Sequence, residues 1–248
     1  MSGSRRTHIR PEGAASDLGQ SASEAAYREI KSWILNGDIP LGMRLGEGRV
    51  AARLSTSRTP VREALLRLYA ERFVERHPEG GYRINHPTAR AMHELYDVRK
   101  ALELFAARVA AANALDSTHP AREALVELRA EWTELAADAP DGDANFVVID
   151  EDFHSRLAAA SGNGELVDAL NRVCERIRPV RAHDFVWPGR IEATISQHLE
   201  ITAAALDGSR DVVELLERHI AESRSHVEVA IGRVLERMLT IGEEGLDW

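Results

Sequence analysis

From Thr88 onward, the chain of 248 residues is a succession of long helical patterns without a convincing strand. Apolar side chains recur there at helical spacing, and the patterns stop at Gly and Pro residues that end helices. Six helices are predicted, over residues 88–114, 118–138, 143–161, 164–183, 190–206 and 209–241. Long helices with short connections favour an antiparallel all-α bundle of six to seven helices.

The start of the chain has a different composition. Residues 1–22 are rich in Gly, Ser and Ala and lack periodicity, which predicts a disordered tail. A first helix is predicted to begin with Ser23 as its N-cap and to end at Gly37. Its apolar face consists of residues at helical spacing: Ala26, Ile30, Trp33 and Ile34.

Two short helical patterns follow, separated by only a few residues. The first runs through Val50 and Leu54, and the second begins at Ser57, a good N-cap, with Pro60 in its first turn. The expected buried stripe of the second helix is Val61, Ala64, Leu65, Leu68 and Tyr69. Two short helices at this spacing predict a helix-turn-helix.

After Arg72, residues 73–76 and 82–84 alternate in the manner of strands. They flank a tip that contains Gly80 and Gly81, which predicts a β-hairpin, or wing. The chain is therefore predicted to be mainly α, with a winged helix-turn-helix of three helices plus a β-hairpin over 23–86. The all-helical domain is expected over 87–242.

The distribution of charge and the single cysteine indicate which partners and which compartment to expect. The formal net charge is −9, yet residues 23–86 carry 11 Lys and Arg against 8 Asp and Glu, whereas residues 87–248 carry 17 against 30. This asymmetry hints at nucleic-acid contact at one end. Cys174 is the only cysteine, so no intramolecular disulfide forms and a reducing cytoplasm is expected. We expect no membrane contact, because the sequence has neither a signal peptide nor a run of about 20 apolar residues.

The beginning of the second short helix carries side chains that can contact DNA. Arg58 and Arg62 are four residues apart and share one helix face, from which an arginine can reach a guanine edge. Ser57 and Thr59 can donate hydrogen bonds to phosphates. The alternative is an ordinary surface helix with two solvated arginines. The preceding helix and the following hairpin favour DNA binding.

The run Ser-Arg-Thr-Pro-Val-Arg-Glu-Ala-Leu over 57–65 resembles the GntR family of winged-helix regulators. The subgroup it is similar to has an all-helical FCD-type ligand domain, as in FadR-like proteins. The resemblance implies that Arg58 and Arg62 make the main DNA contacts, that Ser57 and Thr59 support them, and that Gly80 and Gly81 lie near the minor groove.

The sequence departs from this pattern at two positions. Gly48 stands where some relatives have an arginine, which leaves the adjacent Arg49 as the candidate contact from the preceding helix. Ser55 replaces the usual turn glycine and predicts a slightly different turn.

A possible metal site lies in the helical domain. Asp150 and His154 are four residues apart on one predicted helix, and His198 and His219 lie on two others. One carboxylate and three imidazoles suit Zn²⁺, Ni²⁺ or Mn²⁺. The alternative is ordinary polar residues, since the chain has 10 histidines. The resemblance favours metal, because the metal-binding FCD subset has an Asp-x-x-x-His pair followed by two later histidines that match these four positions.

Arg99 matches an arginine that lines the effector pocket in similar proteins. The resemblance implies that it binds an anionic effector, such as a small organic acid, through paired hydrogen bonds. The alternative for Arg99 is an intrahelical ion pair with Glu103.

These features predict a regulator and not an enzyme: a homodimer, expected to be a repressor, that binds palindromic operator DNA and responds to a small effector. One alternative is a regulator that senses an acyl-CoA-type ligand without a metal. The other is a metalloenzyme with an accessory DNA module, in which Glu151 or Asp152 would act as a base.

Overall fold

The computed structural model describes residues 13–85 and 88–241, with side chains over 21–85 and 88–232. These residues form two compact units, one over residues 13–85 and one over residues 88–241. The predicted fold class, a winged helix-turn-helix and an all-helical bundle, is confirmed. Of the helices in the described ranges, none has both the length and the apolarity that a membrane span requires.

The first unit contains three helices, α1 (Gly13–Leu35), α2 (Glu47–Arg53) and α3 (Arg58–Ala70). Helix α1 packs along α3, and side chains from both helices are fully buried between them: Ile30, Val61, Leu65 and Leu68. These buried residues belong to the predicted apolar stripes, so helical spacing in the sequence predicts the core that packs against α3.

A small antiparallel sheet completes this unit. Its strands are β1 (Arg44–Leu45), β2 (Val74–Arg76) and β3 (Tyr82–Ile84), in the order β1-β3-β2. Strands β2 and β3 form the predicted hairpin, with Val74 opposite Ile84. Strand β1 was not predicted, because two residues are too short to show the alternation of a strand.

Two details of the predicted first unit are wrong. Helix α1 begins at Gly13 and not at Ser23, so residues 13–22 are helical, while residues 1–12 of the predicted tail lie outside the described residues. The Ala residues of this stretch favour helix without an apolar stripe to signal it. Tyr69, expected in the buried stripe, is 42% exposed.

The second unit contains the six predicted helices, each within three residues of its expected bounds. They are α4 (Ala89–Ala114), α5 (Pro120–Ala137), α6 (Phe146–Ala159), α7 (Gly164–Arg181), α8 (Arg190–Leu206) and α9 (Asp211–Ile241). Helix α4 packs against all five others. Its alanines allow close approach, since Ala106, Ala107 and Ala110 are almost fully buried. This packing brings polar residues of α4, α6, α8 and α9 together in the interior.

Candidate functional site

The arginine-bearing face lies at the start of α3. Ser57 occupies the N-cap position, but its side chain makes no capping hydrogen bond to the helix. Arg58, Thr59 and Arg62 are exposed, with 70% of the Arg62 side chain accessible. Since the opposite face is buried in the core, the fold leaves the polar face of α3 open to solvent.

Arg62 is held by an acidic residue that sequence reasoning missed. Its Nε and Nη2 atoms donate to Glu47 Oε2 at 3.3 and 3.1 Å. Glu47 lies in the first turn of α2, where the helix dipole favours a carboxylate. A guanidinium carries five N–H donors, so an arginine bound along this edge still has donors for another acceptor.

The two departures from the family pattern have local structural consequences. A Cβ atom added at Gly48 would lie 3.2 Å from Arg58 Nη2, so the glycine leaves room for that guanidinium. Arg49, next to it on α2, is exposed. Ser55 has a φ of 51°, the left-handed conformation that a glycine adopts without strain. The turn therefore keeps its shape with a serine.

The tip of the wing is formed by two glycines with positive φ, 94° at Gly80 and 80° at Gly81. Arg44 Nη2 donates to the carbonyl oxygens of Glu79 and Gly80 at 3.3 and 3.2 Å. Both glycines are exposed, and neither carries a side chain that would limit approach to a surface. The predicted DNA-facing residues therefore lie on exposed parts of the first unit.

In the second unit, the four predicted metal ligands come together. One ligand atom from each lies within 4.8 Å of the others, and all four residues are buried: Asp150, His154, His198 and His219. His219 Nε2 is 3.3 Å from both His154 Nε2 and His198 Nε2. The Asp150 oxygens lie 3.6 Å from His154 Nε2 and 3.7 Å from His198 Nε2. We call these four residues the His/Asp cluster.

Hydrogen bonds fix the orientation of two imidazoles. His154 Nδ1 lies 2.6 Å from Glu103 Oε2. Burial is the largest single influence and would raise the pKa of Glu103, but the charges and hydrogen bonds of Arg99 and His154 together outweigh it and lower this pKa to about 2, so the carboxylate only accepts. His219 Nδ1 is 2.7 Å from Gln197 Oε1, and the Gln197 amide donates to Glu222. Both Nδ1 atoms therefore donate, and in the neutral rings both Nε2 atoms carry a lone pair.

Lone pairs facing each other at 3.3 Å repel unless a metal cation or a shared proton lies between them. Metal–nitrogen bonds of about 2.0–2.1 Å would separate neighbouring ligand nitrogens by roughly 2.9–3.4 Å, depending on the angle at the metal. Asp150 Oδ1 is also buried without a hydrogen-bond partner among the described residues. The donor set and its spacing therefore fit a divalent transition metal.

The surroundings bury the cluster and disfavour protonation of two of its imidazoles. The His198 ring stacks on Phe153, with centroids 3.6 Å apart, and meets Trp132 at 4.3 Å. Burial, and then the neighbouring imidazoles, lower the pKa of His198 and of His219 well below the usual range. Neutral imidazole is the form that binds a metal.

Two arginines lie beside the cluster. Arg99 is fully buried and its Nε donates to Glu103 Oε1 at 2.5 Å, so the intrahelical alternative is realised. Its Nη1 and Nη2 atoms nevertheless have no hydrogen-bond partner in the described part of the chain. Arg181, which sequence reasoning missed, donates to Asp150 Oδ2, and to Ser223 Oγ at 3.1 Å. Burial is the largest single influence and disfavours the charged form of Asp150, but Arg181 and the other neighbouring positive groups together outweigh it and keep the pKa of this carboxyl low.

The side chains considered for other chemistry are engaged elsewhere. Glu151 pairs with Arg178 of α7, and Asp152 is largely exposed beside Arg156. Cys174 is buried, and burial raises the pKa of its thiol to about 12. A buried thiol in its protonated form packs as a small apolar side chain.

Comparison with known proteins identifies the class. The FCD domain family matches residues 94–222, and the family "Bacterial regulatory proteins, gntR family" matches residues 22–84. The Nta operon transcriptional regulator of Aminobacter aminovorans is 32% identical over 202 residues, which cover 79% of this chain and 91% of that protein. This chain therefore belongs to the GntR family of bacterial transcription regulators and carries an FCD domain.

Other relatives agree with this assignment. The HTH-type transcriptional repressor RspR of Escherichia coli is 25% identical over 231 residues, covering 92% of this chain and 94% of that protein. Among solved structures, E. coli McbR/YncC has the same fold, with a TM-score of 0.65 at 21% identity. That alignment covers 88% of this chain and 98% of the McbR/YncC chain.

Proposed function

We propose that this regulator is a homodimeric repressor whose binding to a palindromic operator is controlled by a small carboxylate-bearing metabolite. The metabolite would bind at a divalent metal held by the His/Asp cluster. The observation that carries this proposal is the pair of oriented imidazole lone pairs, on His154 and His219, that face each other at 3.3 Å. Only a cation or a shared proton removes their repulsion.

Three imidazoles and one carboxylate suit Zn²⁺, Ni²⁺ or Mn²⁺. Such a metal supplies a Lewis acid to which a carboxylate oxygen can bind. Arg99 and Arg181 would orient the carboxylate, because both guanidinium groups are buried beside the cluster and have N–H groups without partners among the described residues. Glu103 and Gln197 hold the imidazoles with their Nε2 atoms toward the metal.

The DNA side of the proposal rests on the exposed face of α3. Arg58 and Arg62 would read base edges while Ser57 and Thr59 bind phosphates, with Arg49 and the Gly80–Gly81 tip adding contacts from α2 and the wing. One such unit reads too few base pairs for specificity, so a two-fold dimer with half-sites about one helical turn apart is expected. Repression is proposed because RspR is described as a repressor.

Metal analysis tests the sensor half. Elemental analysis of purified protein should find close to one metal ion per chain, and His154→Ala should lose it. A metal-free protein that still responds to its effector would overturn the metal site and favour the alternative acyl-CoA-type ligand.

In vitro selection from random duplexes tests the DNA half. It should yield a palindromic sequence, and Arg62→Ala should weaken binding to it and relax specificity by about 1–3 kcal/mol at one base position of each half-site. Arg90→Ala removes an exposed positive charge from α4 and serves as the control. Unchanged affinity and specificity of Arg62→Ala would refute the role given to α3.

A further inference from the structure

The second unit buries three arginines, and each is paired with a buried carboxylate. Arg99 pairs with Glu103, Arg181 with Asp150, and Arg190 with Asp184. Within the described ranges, these six are the charged side chains classed as buried, apart from the histidines. The three guanidinium groups and the three carboxylates therefore balance in charge.

Four nitrogens of these guanidinium groups have no hydrogen-bond partner among the described residues: Arg99 Nη1 and Nη2, Arg181 Nη2 and Arg190 Nη2. A buried donor without a partner destabilises the folded chain. Arginines buried in pairs with carboxylates normally satisfy their remaining N–H groups with further oxygens. The unsatisfied donors therefore point to a ligand that carries several acceptor oxygens.

Arg190 is distinct from the other two because it lies away from the metal ligands. It is eight residues before His198 on α8, about 12 Å along the helix axis. Its Nε donates to Asp184 Oδ2 at 2.8 Å and its Nη1 donates to Thr194 Oγ1 at 2.7 Å. These two bonds fix the guanidinium and leave Nη2 without a hydrogen-bond partner among the described residues.

The ring of Phe185 connects Arg190 to the metal end of the unit. The Cζ atoms of Arg181 and Arg190 lie 5.3 and 5.6 Å from its centroid. The two guanidinium carbons are thus no more than about 11 Å apart, the sum of the two distances. The bundle therefore holds one anion-binding group at the metal and a second one within reach.

We propose that the effector is a dianionic organic acid, a dicarboxylate, whose second carboxylate pairs with Arg190. This inference rests on the proposed function, in which the first carboxylate binds at the metal with Arg99 and Arg181. A divalent metal adds two positive charges to a balanced buried cluster, and a dicarboxylate neutralises both. A monocarboxylate leaves one charge unbalanced and Arg190 Nη2 without an acceptor.

Matched probes separate these cases. Calorimetry on zinc-loaded protein compares dicarboxylates with monocarboxylates of equal length: succinate with butyrate, glutarate with pentanoate, and adipate with hexanoate. At least one dicarboxylate should bind about ten- to a hundred-fold more tightly than its partner, because a charge-assisted hydrogen bond is gained. The same dicarboxylate should release DNA from the protein at lower concentration.

Arg190→Gln should remove this preference while monocarboxylate binding stays the same. Asp184 keeps His226 as a partner at 2.9 Å, and metal content and thermal unfolding verify that the variant is folded. Arg190→Lys keeps the charge and should retain part of the preference. Arg218→Gln, which alters an exposed arginine paired with Glu200, is the control and should behave as wild type.

The outcomes distinguish the inference from the function on which it rests. Equal affinity within every pair, or a preference that survives in Arg190→Gln, overturns the dianion proposal while leaving the metal-dependent sensor in place. Failure of every probe to bind zinc-loaded protein, or equal binding to metal-stripped protein, overturns the proposed function itself.

Discussion

Replacing Gln197 by leucine tests how the protein prepares its metal ligands. Gln197 accepts from His219 Nδ1 at 2.7 Å and donates to Glu222, so it fixes the imidazole with Nε2 toward His154 and His198. Leucine keeps the side-chain volume close to that of glutamine and removes the acceptor. Its aliphatic side chain is compatible with α8, so a stable fold is expected.

The expected loss follows from the type of hydrogen bond. A neutral hydrogen bond contributes about 0.5–1.5 kcal/mol, whereas groups that orient metal-bound histidines change metal affinity by about 10–100-fold. Because Gln197 is neutral, we expect a loss of about tenfold, the lower end of that range. Glu103, a charged partner of His154, would lie near the upper end.

Competition with a chromogenic chelator measures the zinc affinity of Gln197→Leu against wild type. Glu200→Gln, one turn along α8 and exposed beside Arg218, is the control and should show no change. If Gln197→Leu binds zinc as tightly as wild type with an unchanged fold, the lone-pair argument for the cluster is refuted.

Three further predictions concern other parts of the chain. The pKa of the Cys174 thiol is raised to about 12, so the thiol is almost entirely protonated at pH 8. Iodoacetamide should therefore label Cys174 slowly in the native protein and rapidly in urea. Equal labelling rates in the two states would contradict the burial of Cys174. Because the folded pKa is raised, the associated stability is present below about pH 8.5 and is lost as pH rises toward 12. Ser55→Gly should stabilise the first unit by about 1 kcal/mol by relieving a positive φ, and a lower midpoint of thermal unfolding would contradict this. Glu47→Gln removes the ion pair that holds Arg62. In a gel shift, the variant should discriminate less between base sequences, while its overall affinity for DNA rises or stays constant. Sharper discrimination would show that Glu47 does not position Arg62.

Much of the fold could be predicted because its signals are periodic and local. Gly and Pro end the helices of the second unit, and helical spacing gives the buried face of α3. Strand β1 and the first ten residues of α1 were not predicted, since a two-residue strand has no alternation and an Ala- and Ser-rich stretch has no apolar stripe. Local sequence patterns therefore identify most helices and strands, but they miss β1 and the start of α1, which have no periodic signal of their own.

The candidate metal site was predictable for a different reason. Asp150 and His154 share a helix face, and the family resemblance connects them to His198 and His219. Arg181 and Gln197 were not predicted, because their roles depend on contacts between helices 22–31 residues apart in sequence. Such pairings have no periodic signature.

Anomalous X-ray diffraction from crystals grown with zinc, measured above and below the zinc absorption edge, tests the metal centre most directly. A single strong peak should lie about 2.0–2.2 Å from the Nε2 atoms of His154, His198 and His219 and from one Asp150 oxygen. A cluster without anomalous density, in crystals whose protein binds zinc elsewhere, would contradict the proposal that these four side chains form a metal site.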